Sequence, residues 1–118
     1  MPRSRASAKA AGSRFERQVA DYLRDQVSEF IDRRVKTGAE DKGDIANVRT
    51  SGGHRVVVEC KDVATLNLGG WIHEAEVEAA NDGALIGVVV HKRRGHGDPG
   101  NQYVTMTLRD LALLLQDL

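Results

Sequence analysis

The run Val56-Val57-Val58-Glu59-Cys60-Lys61-Asp62 reads as a strand built for burial, yet it ends with an acid and a base two residues apart. Side chains alternate across a strand, so Val56, Val58 and Cys60 take one face while Val57, Glu59 and Lys61 take the other. One face is core; the other becomes charged toward the strand's end. A strand over 44–50, the Gly52-Gly53 turn and the strand over 55–61 together signal a hairpin. If Gly52-Gly53 is a two-residue turn, Ser51 pairs with His54, Asp44 falls opposite Lys61, and Glu59 becomes the diagonal neighbour of Asp44 on one face. A loop of odd length or a bulge would break that register.

The pattern around this hairpin predicts a helix over 14–28 and a short strand over 30–36 before it. After it come a helix over 68–82, once past Gly69-Gly70, and the continuous apolar run 85–90, typical of a central strand covered on both faces. Residues 103–108 alternate, with Val104, Met106 and Leu108 expected inward, and a last helix starts at about Arg109. The order αβββαββα implies an α/β (α+β) fold, a mixed central sheet flanked by helices. Neither internal repeats nor a linker interrupt the predicted domain over 14–118.

On the first helix, Phe15, Val19, Ala20, Tyr22, Leu23, Val27 and Phe30 fall in one arc, opposite Arg14, Arg17, Asp21, Arg24, Asp25 and Ser28. Glu16 lies inside the apolar arc. A carboxylate there costs several kcal/mol, on the order of a buried ion's desolvation, unless it is paired or bound. It either makes an ion pair, snorkels from the first turn, or joins the acids of the hairpin. Three carboxylates beside one lysine suit a hard divalent cation with oxygen ligands. Such an ion with Lys61 beside it suits phosphodiester hydrolysis.

With 118 residues, 41% hydrophobic and 29% charged, the chain has the composition of a soluble globular domain of net charge zero. Neither a membrane-length apolar run nor a secretory h-region is present, so a cytoplasmic location is expected. The single Cys60 fits a reducing compartment and argues against a cysteine-based zinc site. His54, His73, His91 and His96 show no metal-ligand spacing. Residues 1–13 read as a flexible basic arm; with Arg14 the segment carries four cations and no acid, and is either a solvated tail or a DNA contact. Lys92, Arg93 and Arg94 form a second basic cluster at the end of the apolar run, a solvated loop unless the site is aimed at phosphates. Arg33, Arg34, Lys36, Lys42 and Arg49 lie close to Asp44 and can grip phosphates or pair with acids. Glu74 and Glu78 read better as a solvated helix face than as part of a metal shell.

Gly43-Asp44-Ile45, then Glu59-Cys60-Lys61, with Glu16 on a preceding helix, resembles the PD-(D/E)XK nuclease superfamily. Within it the chain resembles archaeal-type Holliday junction resolvases, and more closely the small resolvases of actinobacterial phages. Those features are Val57-Val58-Glu59-Cys60-Lys61, Gly70-Trp71 before an acid- and alanine-rich helix, and Gly87 to Gly95 running on to Gly97-Asp98-Pro99-Gly100. Gly43 stands where the superfamily's name has proline. The resemblance implies a restriction-endonuclease-like core and cleavage of four-way DNA junctions with Mg2+ or Mn2+, by a homodimer in a bacterial host's cytoplasm, without an organic cofactor. It implies Asp44, Glu59 and the Cys60 carbonyl as metal ligands, Lys61 as the catalytic lysine and Glu16 as the helix-borne acid. Arg14, Arg33, Arg34, Lys42, Arg49, Lys92, Arg93 and Arg94 are the expected DNA contacts. Alternatives are a superfamily nuclease for flaps or duplex, or a non-catalytic DNA-binding module of the same fold.

Overall fold

The computed structural model describes residues 3–36, 38 and 40–117. Among them the elements follow the expected order: α1 (Arg5–Gln26), β1 (Asp32–Arg33), β2 (Ile45–Ala46), β3 (Val56–Lys61), α2 (Leu68–Asp82), β4 (Ile86–His91), β5 (Tyr103–Thr105) and α3 (Leu108–Gln116). The sheet core runs β3-β4-β5, with β3 parallel and β5 antiparallel to β4, and a two-stranded β1-β2 ribbon lies beside β3. Helices flank a mixed sheet, as a restriction-endonuclease-like fold requires. None of the described helices is long and apolar enough to cross a membrane.

The helix expected over 14–28 begins at Arg5, where the Ser4 side chain accepts from the Ser7 amide and caps its first turn. Most of the predicted arm is therefore helical, and residues 1 and 2 lie outside the described residues. Local propensity explains this: the exposed, Ala-rich stretch 5–10 continues a helix already anchored at Ala11 and Phe15. Phe15, Val19 and Ala20 do pack against Val58, Ile86, Val88 and Val90, but Val27 and Phe30 are exposed, because the helix stops at Gln26 and the chain turns away. Truncating Phe15 to alanine would cost about 3–5 kcal/mol.

The hairpin closes differently from the two-residue reading. Thr50, not Ser51, pairs with His54, and Gly53 at φ 88° closes a three-residue loop. Arg49 then bridges Arg55, and Val56 donates to the Val48 carbonyl. At Asn47, whose φ is 68°, the upstream chain bulges, and beyond it the Asp44 amide donates to the Val58 carbonyl at 3.0 Å. Asp44 thus sits beside the middle of β3 rather than opposite Lys61. The expected strand over 44–50 is reduced to Ile45–Ala46, which pairs with Asp32–Arg33.

Two close approaches bring the remaining elements onto the sheet. A Cβ on Gly87 would run into the Ala75 carbonyl, so the glycine in β4 lets α2 lie directly on the sheet with Trp71, Ala75, Glu78 and Ala79 buried. Gly43, at φ 91°, passes within van der Waals range of Val57, where a Cβ would lie 2.9 Å from Cγ1. At the far edge, β5 ends at Thr105: Met106 packs on the core, whereas Val104 on the edge strand and Leu108 are exposed, against expectation, the latter because the alternation stops at Thr105 and Leu108 instead opens α3.

Candidate active site

Asp44 is held from every side. Its carbonyl accepts from the Arg34 amide at 2.8 Å, its Oδ2 accepts from the Cys60 amide at 2.8 Å, and its Oδ1 accepts from Lys36 Nζ at 2.8 Å. Only 2% of the residue is exposed. Glu59 leaves β3 on the face that carries Val89 on β4 and meets α2, whose Glu78 is also buried. Burial first, then the facing Glu78 and Asp44, push the Glu59 carboxyl far above the usual carboxylate range. Glu78 is raised as well, first by burial, with the facing Glu59 pulling the other way and the charges of Asp41 and Asp44 adding.

Asp41, Glu59 and Glu78 each offer an oxygen, and these three atoms lie within 4.8 Å of one another. Asp41 is fixed at the rim, its Oδ1 accepting from the Gly43 amide at 2.9 Å and its carbonyl from Asn81 Nδ2 of α2 at 2.9 Å. Glu59 Oε2 and Glu78 Oε2 are buried with no hydrogen-bond partner among the described residues. Unsatisfied buried carboxylate oxygens are costly, so such a pair retains a proton or takes up a cation. The donor set is all oxygen and fits a hard divalent ion, with Asp41, Glu59 and Glu78 as its holders.

Glu16 is partly buried on α1, 3.6 Å from Arg33, and its carboxyl is raised first by burial and then by Asp44. It therefore shares the field of the cluster while also making an ion pair. Lys61 Nζ lies 3.1 and 3.2 Å from the Glu74 oxygens. Burial works to lower the Lys61 ammonium, but Glu74 and Glu59 outweigh it, so it is raised and stays charged. The Cys60 thiol, pushed up by burial, packs into the core on the other face and is inert.

Glu78 corrects the expectation of a solvated helix face. It falls in the Trp71–Ala75–Ala79 stripe, and that spacing was the signal for its burial. Asp41 was legible only as a neighbour of Asp44; the loop that folds it back onto α2 is a tertiary matter. Lys36 faces Asp44 itself.

Of the expected DNA contacts, Lys92, Arg93 and Arg94 start directly beside Lys61, since the Lys92 amide donates to the Lys61 carbonyl at 2.9 Å. Arg94, Lys42 and Arg14 are exposed. The others carry structural partners: Arg33 has Glu16, Arg34 has Asp82 at 3.7 Å, and Arg49 donates to the Gly53 carbonyl. Lys92 Nζ donates to the His96 carbonyl, and Arg93 lies over the Tyr103 ring.

No curated protein and no solved structure matches the chain. A family model described as "Phage putative PDDEXK endonuclease" matches residues 7–117, nearly the whole chain and every acid of the cluster. Nucleases of this type typically use divalent metals, in keeping with the acidic cluster around Glu59. The chain belongs to the phage PD-(D/E)XK endonuclease family.

Proposed function

We propose that the protein is a Mg2+- or Mn2+-dependent endodeoxyribonuclease that resolves four-way DNA junctions by paired incisions, acting as a homodimer in the cytoplasm of a bacterial host. The observation that carries the metal dependence is the pair of buried, unpartnered oxygens on Glu59 and Glu78, next to Asp44, with Glu59 two residues from Lys61 on the same face of β3. A divalent ion held there would supply charge compensation and Lewis acidity at the phosphate to be cut. In this reading Asp44, Glu59 and the Cys60 carbonyl form the family-type ligand set, with Glu78 and Asp41 added from the α2 side. Lys61, charged, leaves Glu74 to orient the attacking water and to offset charge on the phosphoryl oxygens. Glu16 sets the field around Asp44. Arg14, Lys42 and Arg94, which are exposed, hold the backbone phosphates.

Junction specificity is supported by the resemblance of the Gly43-Asp44-Ile45, Glu59-Cys60-Lys61 and Gly87 to Gly100 segments to phage resolvases, and by the twofold task itself. A junction is cut on two opposing strands, and a twofold dimer places one site on each. Leu108, Leu111 and Leu115 are exposed on one stripe of α3, the position best suited to a dimer contact. Incubation with a four-way junction, a flap and a linear duplex, with and without Mg2+, tests the reading. Junctions should be cut on two strands in one binding event, and heterodimers of wild-type and Glu59→Gln chains should leave mostly one nick per junction. Equal cutting of linear duplex by a monomer would leave a nuclease and remove the resolvase.

A further inference from the structure

One row of paired residues crosses the sheet at the end where Lys61 stands. Lys61 on β3 pairs with His91 on β4, and His91 pairs with Tyr103 on β5. Laterally paired residues project to the same face, so the three side chains form one line. Two strand spacings of roughly 4.8 Å put Tyr103 about 10 Å from Lys61.

The row is built as a stack. Trp71 of α2 lies against His91 with ring centroids 5.7 Å apart, and His91 meets Tyr103 edge-on at 6.1 Å. His91 is further fixed by a 2.7 Å hydrogen bond between Nε2 and Thr105 Oγ1. The guanidinium of Arg93 caps the Tyr103 ring at 4.1 Å from its centroid and donates to the Asn101 carbonyl at 2.9 Å. Buried Gln102 locks the intervening loop, accepting from the Arg93 amide and donating to the carbonyls of His96 and Asp98. At its outer end this rigid stack opens to water: Tyr103 is 54% exposed.

An aromatic ring and a guanidinium plane on a rigid, cationic rim are the groups that stack unpaired nucleobases. We propose that the Tyr103–Arg93 pair is a stacking platform for an unpaired nucleobase within about three nucleotides of the phosphate that is cut, at roughly 3.4 Å of rise per nucleotide. This rests on the nuclease reading and names the feature of the substrate that the site selects. A fully paired duplex has no base to offer, whereas a single-stranded flank does, and a four-way junction does once the pairs at its centre open.

The test uses the full chain in EDTA with two DNAs carrying 2-aminopurine at the same sequence position, unpaired at a branch in one and paired in a duplex in the other. Wild type should quench the unpaired probe. Tyr103→Ala and Tyr103→Leu should lose the quenching and bind the branched DNA on the order of tenfold more weakly, a stacked base's usual contribution, with duplex affinity unchanged. Tyr103→Phe should retain both, and unaltered melting of the three variants secures their fold. Wild-type quenching and affinity in Tyr103→Ala, or an equal loss on both DNAs, overturns the platform while Mg2+-dependent cleavage still upholds the nuclease. A wild-type protein that neither binds nor cuts any of these DNAs overturns both.

Discussion

Lys36 Nζ lies 2.8 Å from Asp44 Oδ1, while the Cys60 amide occupies Oδ2, so both oxygens of this buried acid are engaged. If Asp44 is a ligand, as proposed, a divalent cation would compete with this ammonium for the same oxygen. Lys36→Met should therefore tighten Mn2+ binding, read by calorimetry or by loss of the free-ion resonance signal. It should also destabilise the metal-free protein by about 1–2 kcal/mol, the discounted cost of unpairing a buried acid from a largely exposed lysine. Unchanged or weaker Mn2+ binding would remove Asp44 from the ligand set.

Glu59, Glu78 and Glu16 are all raised, each first by burial. An acid whose folded pKa exceeds its unfolded value stabilises the fold fully below the unfolded value, about 4.3, and that contribution is lost as pH rises toward the folded value. The metal-free protein should accordingly melt at a lower temperature at about pH 8 than at about pH 5. Glu59→Gln should flatten the slope, as should saturating Mg2+. A slope of opposite sign in the metal-free wild type would contradict the geometry of the pair.

Arg94 is exposed and Arg34 is not, and the two should fail differently. Arg94→Ala should reduce the salt dependence of DNA binding by about one unit of slope, the share of a single phosphate contact, with melting unchanged. Arg34→Ala should instead lower thermal stability, since it pairs with Asp82 and its backbone is tied to Asp44. An unchanged salt slope in Arg94→Ala would make that loop a solvated surface.

Because α1 begins at Arg5, shortening the chain should cost little until a buried residue is reached. Removing residues 1–9 deletes the Ser4 cap and the exposed Arg3–Asp62 pair, for about 1 kcal/mol. Removing residues 1–12 also deletes Ala11, which is 3% exposed, and should lower the melting temperature distinctly further. Equal melting of the two truncations would show that the first turns contribute nothing to the core.

Much of the site was legible because its signals are local. The alternation in Val56–Lys61 separated core from chemistry, the Leu68–Asp82 helix and the central strand followed from period and apolarity, and Glu16 stood out as an acid on an apolar arc. Alternation alone put Glu59 and Lys61 on one face of β3, whereas the register that set Asp44 opposite Lys61 was broken by the three-residue loop and the bulge at Asn47.

What only the tertiary structure decided is set by long-range geometry. Asn47 and Gly53 adopt positive φ, and these two backbone choices move Asp44 from Lys61 to the Cys60 amide. Glu78 faces inward because Gly87 lets α2 settle onto β4, and Asp41 joins it because Asn81 ties the loop back. The row from Lys61 through His91 to Tyr103 exists only once three distant strands are paired. Periodicity determines which face a residue takes, but which residues meet across faces depends on bulges, close helix approach and pairing between segments far apart in the chain.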